Sequence, residues 1–339
     1  MTIENLEKEL KQGILHSVYL FYGEETFLLE TCLKKLRSLF GNLTLGINDI
    51  RIEDGNVDAL ISNIETPAFG YEKKLIVARN TGLFKKEGKR KNVTGNEMME
   101  KLANYIAENG KTIQDSVVLV LVEEAVEKNK LWEVLEKQAI ICHFEALKPM
   151  QIIGRLKAIC KAYGVQVEEN VLSYLIESCG TNMQDLMNEL RKLIEYVGSG
   201  GMITKQEIDK LCIKQLDSVI FDLTDNLGKK NVRQALEVLH NLLYAKEPIQ
   251  KILITLYHHF KKIYIVKMAI RENRNIAECL NLKPNQAFLT GKYKMQANFF
   301  EEKELKGILQ ALIDLDSHSK IGLIDVTIGL EAILCRYCS

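Results

Sequence analysis

The chain has 339 residues, 47% of them hydrophobic and 27% charged, with 45 Lys+Arg balanced by 45 Asp+Glu. That length exceeds one ordinary domain, and so large an apolar share excludes a disordered chain. A formal net charge of zero excludes an overall electrostatic drive toward nucleic acid, so any such contact has to be local or shared with partners.

Residues 1–10 carry neither the basic flank nor the long apolar region of a signal peptide. No apolar run reaches the roughly 20 residues needed to cross a bilayer, so a cytoplasmic protein without membrane contact is expected. The cysteines, Cys32, Cys142, Cys160, Cys179, Cys212, Cys279, Cys335 and Cys338, are scattered through apolar stretches, the pattern of buried thiols in a reducing compartment. Only Cys335-Arg-Tyr-Cys338 has ligand-like spacing; without a second pair or a nearby histidine, no metal site is expected.

Short β-rich runs at 18–22, 49–52, 74–78, 117–122 and 140–144 alternate with helical patterns at 26–40, 57–65, 96–108 and 130–137. The central runs are apolar on both faces, as in a covered parallel sheet, and the helices supply the crossovers that parallel strands require. An α/β domain over 1–147 is predicted. Beyond Pro149 the hydrophobic period is 3.6 throughout, with helical patterns at 152–163, 168–178, 183–197 and 205–211. Gly198-Ser-Gly-Gly201 marks a turn and Thr204-Lys-Gln-Glu207 a capping box, so a small helical domain is expected over 148–214. From Asp217 onward come longer amphipathic helices, broken at Gly228, at Lys246-Glu-Pro248, at Asn281-Leu-Lys-Pro284 and near 317–322. They predict a third, all-α module over 215–339, so the fold class is α/β followed by all-α.

The first strand runs through Gly23 into a helix, which is where a phosphate cradle would sit. The stretch Gly23-Glu-Glu-Thr-Phe-Leu has one glycine and no lysine, and Glu24 and Glu25 place two carboxylates where triphosphate oxygens would lie. Like charges repel there, so this is a degenerate phosphate loop and no nucleotide cofactor is expected. Gly110-Lys-Thr112 resembles the tail of a phosphate loop but follows a helix and precedes a strand, and it is read as a turn. Glu123 and Glu124 end a buried strand with no Mg-nucleotide to hold. No histidine pair has ligand spacing and no Gly-x-Ser-x-Gly elbow occurs, so no catalytic residues and no intrinsic catalysis are expected.

An α/β domain with a spent phosphate loop, a helical lid and a C-terminal helical bundle resembles the AAA+ clamp-loader subunits. Three stretches narrow the resemblance to the bacterial DNA polymerase III delta-subunit family. They are residues 219–243 followed by Glu247-Pro248, Gly180-Thr-Asn-Met-Gln-Asp-Leu continuing to Leu193, and Gln296-Ala-Asn-Phe299. The resemblance implies a non-catalytic subunit, classed with the DNA-directed DNA polymerase, that binds and opens the beta sliding clamp for loading on primed DNA. It further implies a C-terminal collar shared with tau/gamma and delta-prime subunits, so that some apolar helix faces after Asp217 are interfaces.

In that family the loop matching Thr66-Pro67-Ala68-Phe69-Gly70 carries a hydrophobic pair that enters a pocket on the clamp. Pro67 fixes φ ahead of Ala68 and Phe69, and Gly70 lets the chain turn away, which suits a protruding plug. The family usually has a larger aliphatic residue where Ala68 stands. The missing methylenes remove roughly 1 to 2 kcal/mol at about 0.8 per buried CH2, which shifts weight to Phe69, Pro67, Tyr71 and Leu75. The basic run Lys85, Lys86, Lys89, Arg90 and Lys91, together with Lys261 and Lys262, offers candidate DNA contacts, as do Arg271 and Arg274. The rival reading is an active AAA+ ATPase or nucleotide switch, against which Glu24 and Glu25 argue. A helical scaffold unrelated to replication is the blander alternative.

Overall fold

The computed structural model describes residues 1–41, 45–53, 56–84, 93–283 and 286–338. It divides into two compact units, Met1–Ala146 and Leu147–Ser339.

In the first unit the elements run α1 (Ile3–Lys11), β1 (Val18–Tyr22), α2 (Thr26–Ser38), β2 (Asp49–Ile52), α3 (Val57–Glu65), β3 (Lys74–Arg79), α4 (Val93–Glu108), α5 (Gly110–Ser116), β4 (Val117–Glu123), α6 (Lys130–Gln138) and β5 (Ile140–His143). The five strands form one sheet in the order β2-β3-β4-β1-β5, and every pairing is parallel, with Val18 opposite Leu119 and Ile76 also opposite Leu119. Central strands covered on both faces need apolar side chains at every position, and β4 is buried along its whole length. Val18 and Leu20 of β1 face a cluster with Leu60 and Ile64 of α3, Leu102 and Ile106 of α4, and Leu131 and Leu135 of α6. Helices α1 and α2 bury Leu6, Leu10, Leu29, Leu33 and Leu36 outside that cluster.

Because the sheet is parallel, its two edges of loops are chemically separate. The turn at Gly23 leaves the carboxyl end of β1, whereas the α3–β3 loop holding Phe69 enters the amino end of β3. Two sequence expectations need correction here. The tripeptide Gly110-Lys-Thr112 is not a turn but opens helix α5, with Asn109 before it, since the Ile113 amide donates to the Asn109 carbonyl at 3.0 Å and starts a helical ladder. Helix α1 also lies where no element is expected; Thr2 caps it by accepting from the Asn5 amide at 3.3 Å.

The second unit runs α7 (Pro149–Ala162), β6 (Gln166–Val167), α8 (Glu169–Cys179), α9 (Met183–Val197), β7 (Met202–Ile203), α10 (Lys205–Leu211), α11 (Leu216–Gly228), α12 (Val232–Tyr244), α13 (Ile249–Arg271), α14 (Ile276–Cys279), α15 (Leu289–Phe299), α16 (Glu302–Lys320) and α17 (Val326–Cys338). It is not purely helical: β6 and β7 make a two-residue parallel pair, Gln166 with Met202 and Val167 with Ile203. Two residues per strand carry too little alternation to register as a pattern. Thr204 and Glu207 form the expected capping box, with the Thr204 amide donating to Glu207 Oε2 at 2.8 Å.

Helices α11 to α17 enclose one core that includes Ile220, Leu223, Leu256, Phe260, Leu305 and Leu330. Buried Gln296 ties three of these helices together. Its Nε2 donates to the Phe221 carbonyl at 3.0 Å and to Asp225 Oδ1 at 2.5 Å, and its Oε1 lies 2.8 Å from His259 Nε2. With both amide hydrogens so used, Oε1 is the acceptor and the imidazole donates. Burial pushes the His259 pKa down to about 3; the Gln296 contact partly opposes this and nearby Lys262 adds to it. At Gly228 an added Cβ would lie 2.5 Å from Phe299, so glycine permits the close approach of α11 and α15.

Candidate functional site

The α3–β3 loop is a fixed backbone that presents a free side chain. Helix α3 stops at Thr66, whose extended φ −75° and ψ 127° are what the following Pro67 demands. The Thr66 amide and hydroxyl both donate to the Ser62 carbonyl, at 3.1 and 2.8 Å. From below, Lys74 is buried and its Nζ donates to the Thr66 carbonyl. Burial lowers the Lys74 pKa. At the other end, buried Asn48 brackets Phe69: Nδ2 donates to the Phe69 carbonyl at 2.8 Å, and Oδ1 accepts from the Phe69 amide at 3.1 Å. Asn48 is itself anchored, since its own carbonyl accepts from the Leu75 amide at 2.8 Å. Gly70 then turns the chain with φ +75°, a conformation that costs a glycine little.

Between these anchors Thr66 and Pro67 are exposed, Ala68 is half-buried and Phe69 has 79% of its surface accessible. Tyr71 is exposed as well, and so is Ile47, the neighbour of Asn48. Leu75 does not belong with them. It is fully buried in β3, an interior strand covered on both faces, so Leu75 does not contribute to this surface as expected. Asn48, Lys74 and Ile47 escaped the sequence reading. The available signal was a lysine heading an otherwise apolar strand, a cation that has to be satisfied locally if it is buried.

At the carboxyl end of β1 the phosphate-loop position is filled by protein. The Gly23 amide donates to the Glu123 carbonyl at 3.2 Å, and the Glu25 amide donates to the Phe144 carbonyl at 2.9 Å. A Cβ on Gly23, which has φ +131°, would lie 2.3 Å from that same Phe144 oxygen. Backbone amides that would cradle a phosphate are thus spent on the end of β4 and the exit of β5. Glu25 is the N-cap residue of helix α2 and Glu24 precedes it. Glu123, at the end of β4, is buried and accepts from the Thr81 amide at 2.8 Å and the Thr81 hydroxyl at 2.5 Å.

The basic candidates divide. Lys85, Lys86, Lys89, Arg90 and Lys91 lie outside the described residues. Lys261 is exposed on α13, while Lys262 stands 5.8 Å from the centre of the Tyr293 ring. Arg271 pairs with Glu302 of α16 at 2.8 Å and Arg274 with Glu272 in the turn after α13 at 2.8 Å, so both are engaged within the second unit. Cys335 is exposed on α17; the side chain of Cys338 lies outside the described residues. Among the described residues no helix is long and apolar enough to cross a membrane.

Comparisons with known proteins agree with one another. The family model described as DNA polymerase III, delta subunit, matches residues 19–145, and that described as DNA polymerase III delta subunit, C-terminal domain, matches residues 217–337. The chain is 25% identical to DNA polymerase III subunit delta of Bacillus subtilis over 337 residues, covering 97% of this chain and 95% of that one. It is 27% identical over 317 residues to the probable DNA polymerase III subunit delta of Aquifex aeolicus, covering 90% and 86% of the two chains. The solved structure of the Bacillus subtilis DNA clamp loader delta protein has the same fold, with a TM-score of 0.73 at 23% identity and 99% of each chain covered.

Proposed function

Since the chain belongs to the DNA polymerase III delta-subunit family, whose place is in the clamp loader of DNA replication, we propose that it grips and opens the beta sliding clamp through Thr66, Pro67, Ala68 and Phe69. The observation that carries this reading is the 79% exposure of Phe69 on a loop whose two ends are pinned by buried Lys74 and Asn48. An apolar ring exposed by a rigid backbone binds without a large ordering cost. Binding opens the ring because the loop's contacts are better with the open state; a ligand shifts an equilibrium only by such a difference in affinity.

In this reading the subunit performs no hydrolysis. The Gly23 turn spends its amides on Glu123 and Phe144, and Glu123 is committed to Thr81, which supports assigning ATP hydrolysis to sibling subunits of the tau/gamma and delta-prime type. Within the second unit, residues 148–214 serve as the lid and 215–339 as the collar that joins those subunits. Exposed Ile254 and Ile328 are available on that collar. Primed DNA is met in the assembled loader, in the cytoplasm, with Lys261 as a contact.

The test is clamp binding by the wild type and by Phe69→Ala, followed by calorimetry. Burial of a Phe side chain contributes about 1.5 to 3 kcal/mol, so affinity falls roughly 10- to 150-fold in the variant. Equal affinities exclude this plug. Added MgATP leaves the melting temperature of the isolated chain unchanged; a rise would overturn the assignment of hydrolysis to the siblings.

A further inference from the structure

The second unit contains a donor cluster that no part of the proposed function uses. Cys179 is the last residue of α8, Glu189 lies in α9, and Cys212 follows α10, yet their sulfur and carboxylate atoms all lie within 4.8 Å of one another. Spacings of ten and twenty-three residues carry no ligand signature in the sequence, so only the fold reveals the set.

The framework holding these three groups is built. The Gln215 amide donates to the Ser178 carbonyl at 2.9 Å, which fastens the segment after Cys212 to the end of α8. Gly180 lets that segment approach, since a Cβ there would come within 2.5 Å of the Gln215 side chain. The Glu189 carboxylate is oriented by two donors, the Ile213 amide at 3.2 Å and Lys192 Nζ at 2.6 Å. A carboxylate has two oxygens with about four acceptor positions, so it can accept from these partners and still bind an ion. Ligating carboxylates are commonly hydrogen-bonded in this way. A cavity of about 470 Å³ lined by Cys179, Glu189, Asp185, Asn188 and Lys214 opens beside the cluster and supplies an entry path and room for water.

From these observations we infer that Cys179, Cys212 and Glu189 form a binding site for a thiophilic divalent cation of the zinc class, with a water from the adjoining cavity as fourth ligand. Two thiolates and one carboxylate suit a borderline-soft tetrahedral ion and not magnesium or calcium. Bonds of about 2.0 to 2.3 Å hold tetrahedral donors roughly 3.3 to 3.8 Å apart, so closing the set requires shifts of only about 1 Å. Bound metal staples the end of α8, the middle of α9 and the residue that follows α10 to one another.

The experiment titrates Co²⁺, and separately Zn²⁺, into the untagged full chain after chelator treatment in a reducing buffer. One equivalent of Co²⁺ gives a near-ultraviolet thiolate-to-cobalt charge-transfer band, and one of Zn²⁺ raises the melting temperature by a few degrees. Cys212→Ser, at a half-buried position, removes the band and weakens binding by at least about a hundredfold. Glu189→Gln keeps the band and weakens binding about tenfold or more, and Cys335→Ser changes nothing. Absence of the band in the wild type overturns the proposal, as does a band that survives Cys212→Ser in a variant folded by circular dichroism. Formation of a Cys179–Cys212 disulfide under oxidation, with no metal uptake by the reduced chain, also overturns it.

Discussion

Asn48 holds the backbone of Phe69 from both sides, donating to its carbonyl at 2.8 Å and accepting from its amide at 3.1 Å, while the phenyl side chain stays largely exposed. The two residues are 21 positions apart and lie on adjacent loops at the amino end of the sheet. Side-chain exposure and backbone rigidity at Phe69 are therefore separable properties, and each has its own variant.

Asn48→Ala leaves the Phe69 ring intact and removes its clamp. Two hydrogen bonds from a buried carboxamide are lost, which destabilises the loop by about 1 to 2 kcal/mol. The Phe69 amide then exchanges with solvent faster, and clamp affinity falls roughly tenfold, because ordering the loop becomes part of the binding cost. Hydrogen exchange read beside calorimetry checks this. Unchanged amide protection together with unchanged affinity would show that the bracket does not organise the loop.

Gly23→Ala tests whether the former phosphate turn is closed by packing. The new methyl carbon would sit 2.3 Å from the Phe144 carbonyl oxygen, at a φ of +131° that disfavours any side chain. Backbone on both sides leaves no flexible group to yield. The expected loss is about 3 kcal/mol or more, seen as a lower denaturation midpoint. A variant as stable as the wild type would mean that the exit of β5 moves readily and that the turn is open to ligands.

The sheet was legible because its strands are apolar on both faces and separated by helical periods, a pattern with few alternative folds. The candidate loop was singled out only through the resemblance and the Pro67–Gly70 punctuation. What pins the loop was hidden, since Asn48 and Lys74 act on residues 21 and 8 positions away and neither lies in a motif. Leu75 misled because proximity in sequence does not place a side chain on the surface; β3 is covered on both faces, so Leu75 is buried whichever face it takes. The pairing of β6 with β7 was lost for a different reason, two residues being shorter than any period. The helix at Gly110–Ser116 was obscured by a glycine that reads as a turn.

Gly228→Ala probes the close approach of α11 and α15. In an exposed helix the exchange would gain about 1 kcal/mol of helix propensity. Here the added carbon meets Phe299 at 2.5 Å, and one of the three nearest atoms is Cβ of that residue at 2.7 Å, so rotation of the ring does not relieve the clash. Overpacking of this kind costs about 1 to 3 kcal/mol, and the sum is destabilising by about 1 kcal/mol. In a Phe299→Ala background only the Cβ contact remains, so the same change costs less. A double-mutant cycle in urea gives the coupling, and additive effects would exclude the contact.

His259 gives the helical core of α11 to α17 a defined acid sensitivity. Its ring is buried, donates to Gln296 Oε1 and has a pKa pushed down to about 3, against about 6.5 when unfolded. Between those values the unfolded chain binds a proton that the folded chain refuses, so stability rises with pH across that window. The contribution is complete above about pH 6.5 and is lost as pH falls. From pH 6.5 to 4 the loss reaches up to about 3 kcal/mol, at 1.36 kcal/mol per pH unit. Phe221 and Tyr293 surround the ring and Lys262 adds like charge, so the Gln296 contact only partly offsets the burial. His259→Gln retains a donor for Gln296 without a titrating group. It flattens the stability profile between pH 4 and 6.5 while the carboxylate-driven loss below pH 4 stays. Parallel profiles for wild type and variant would mean that the ring is accessible to protons in the folded chain.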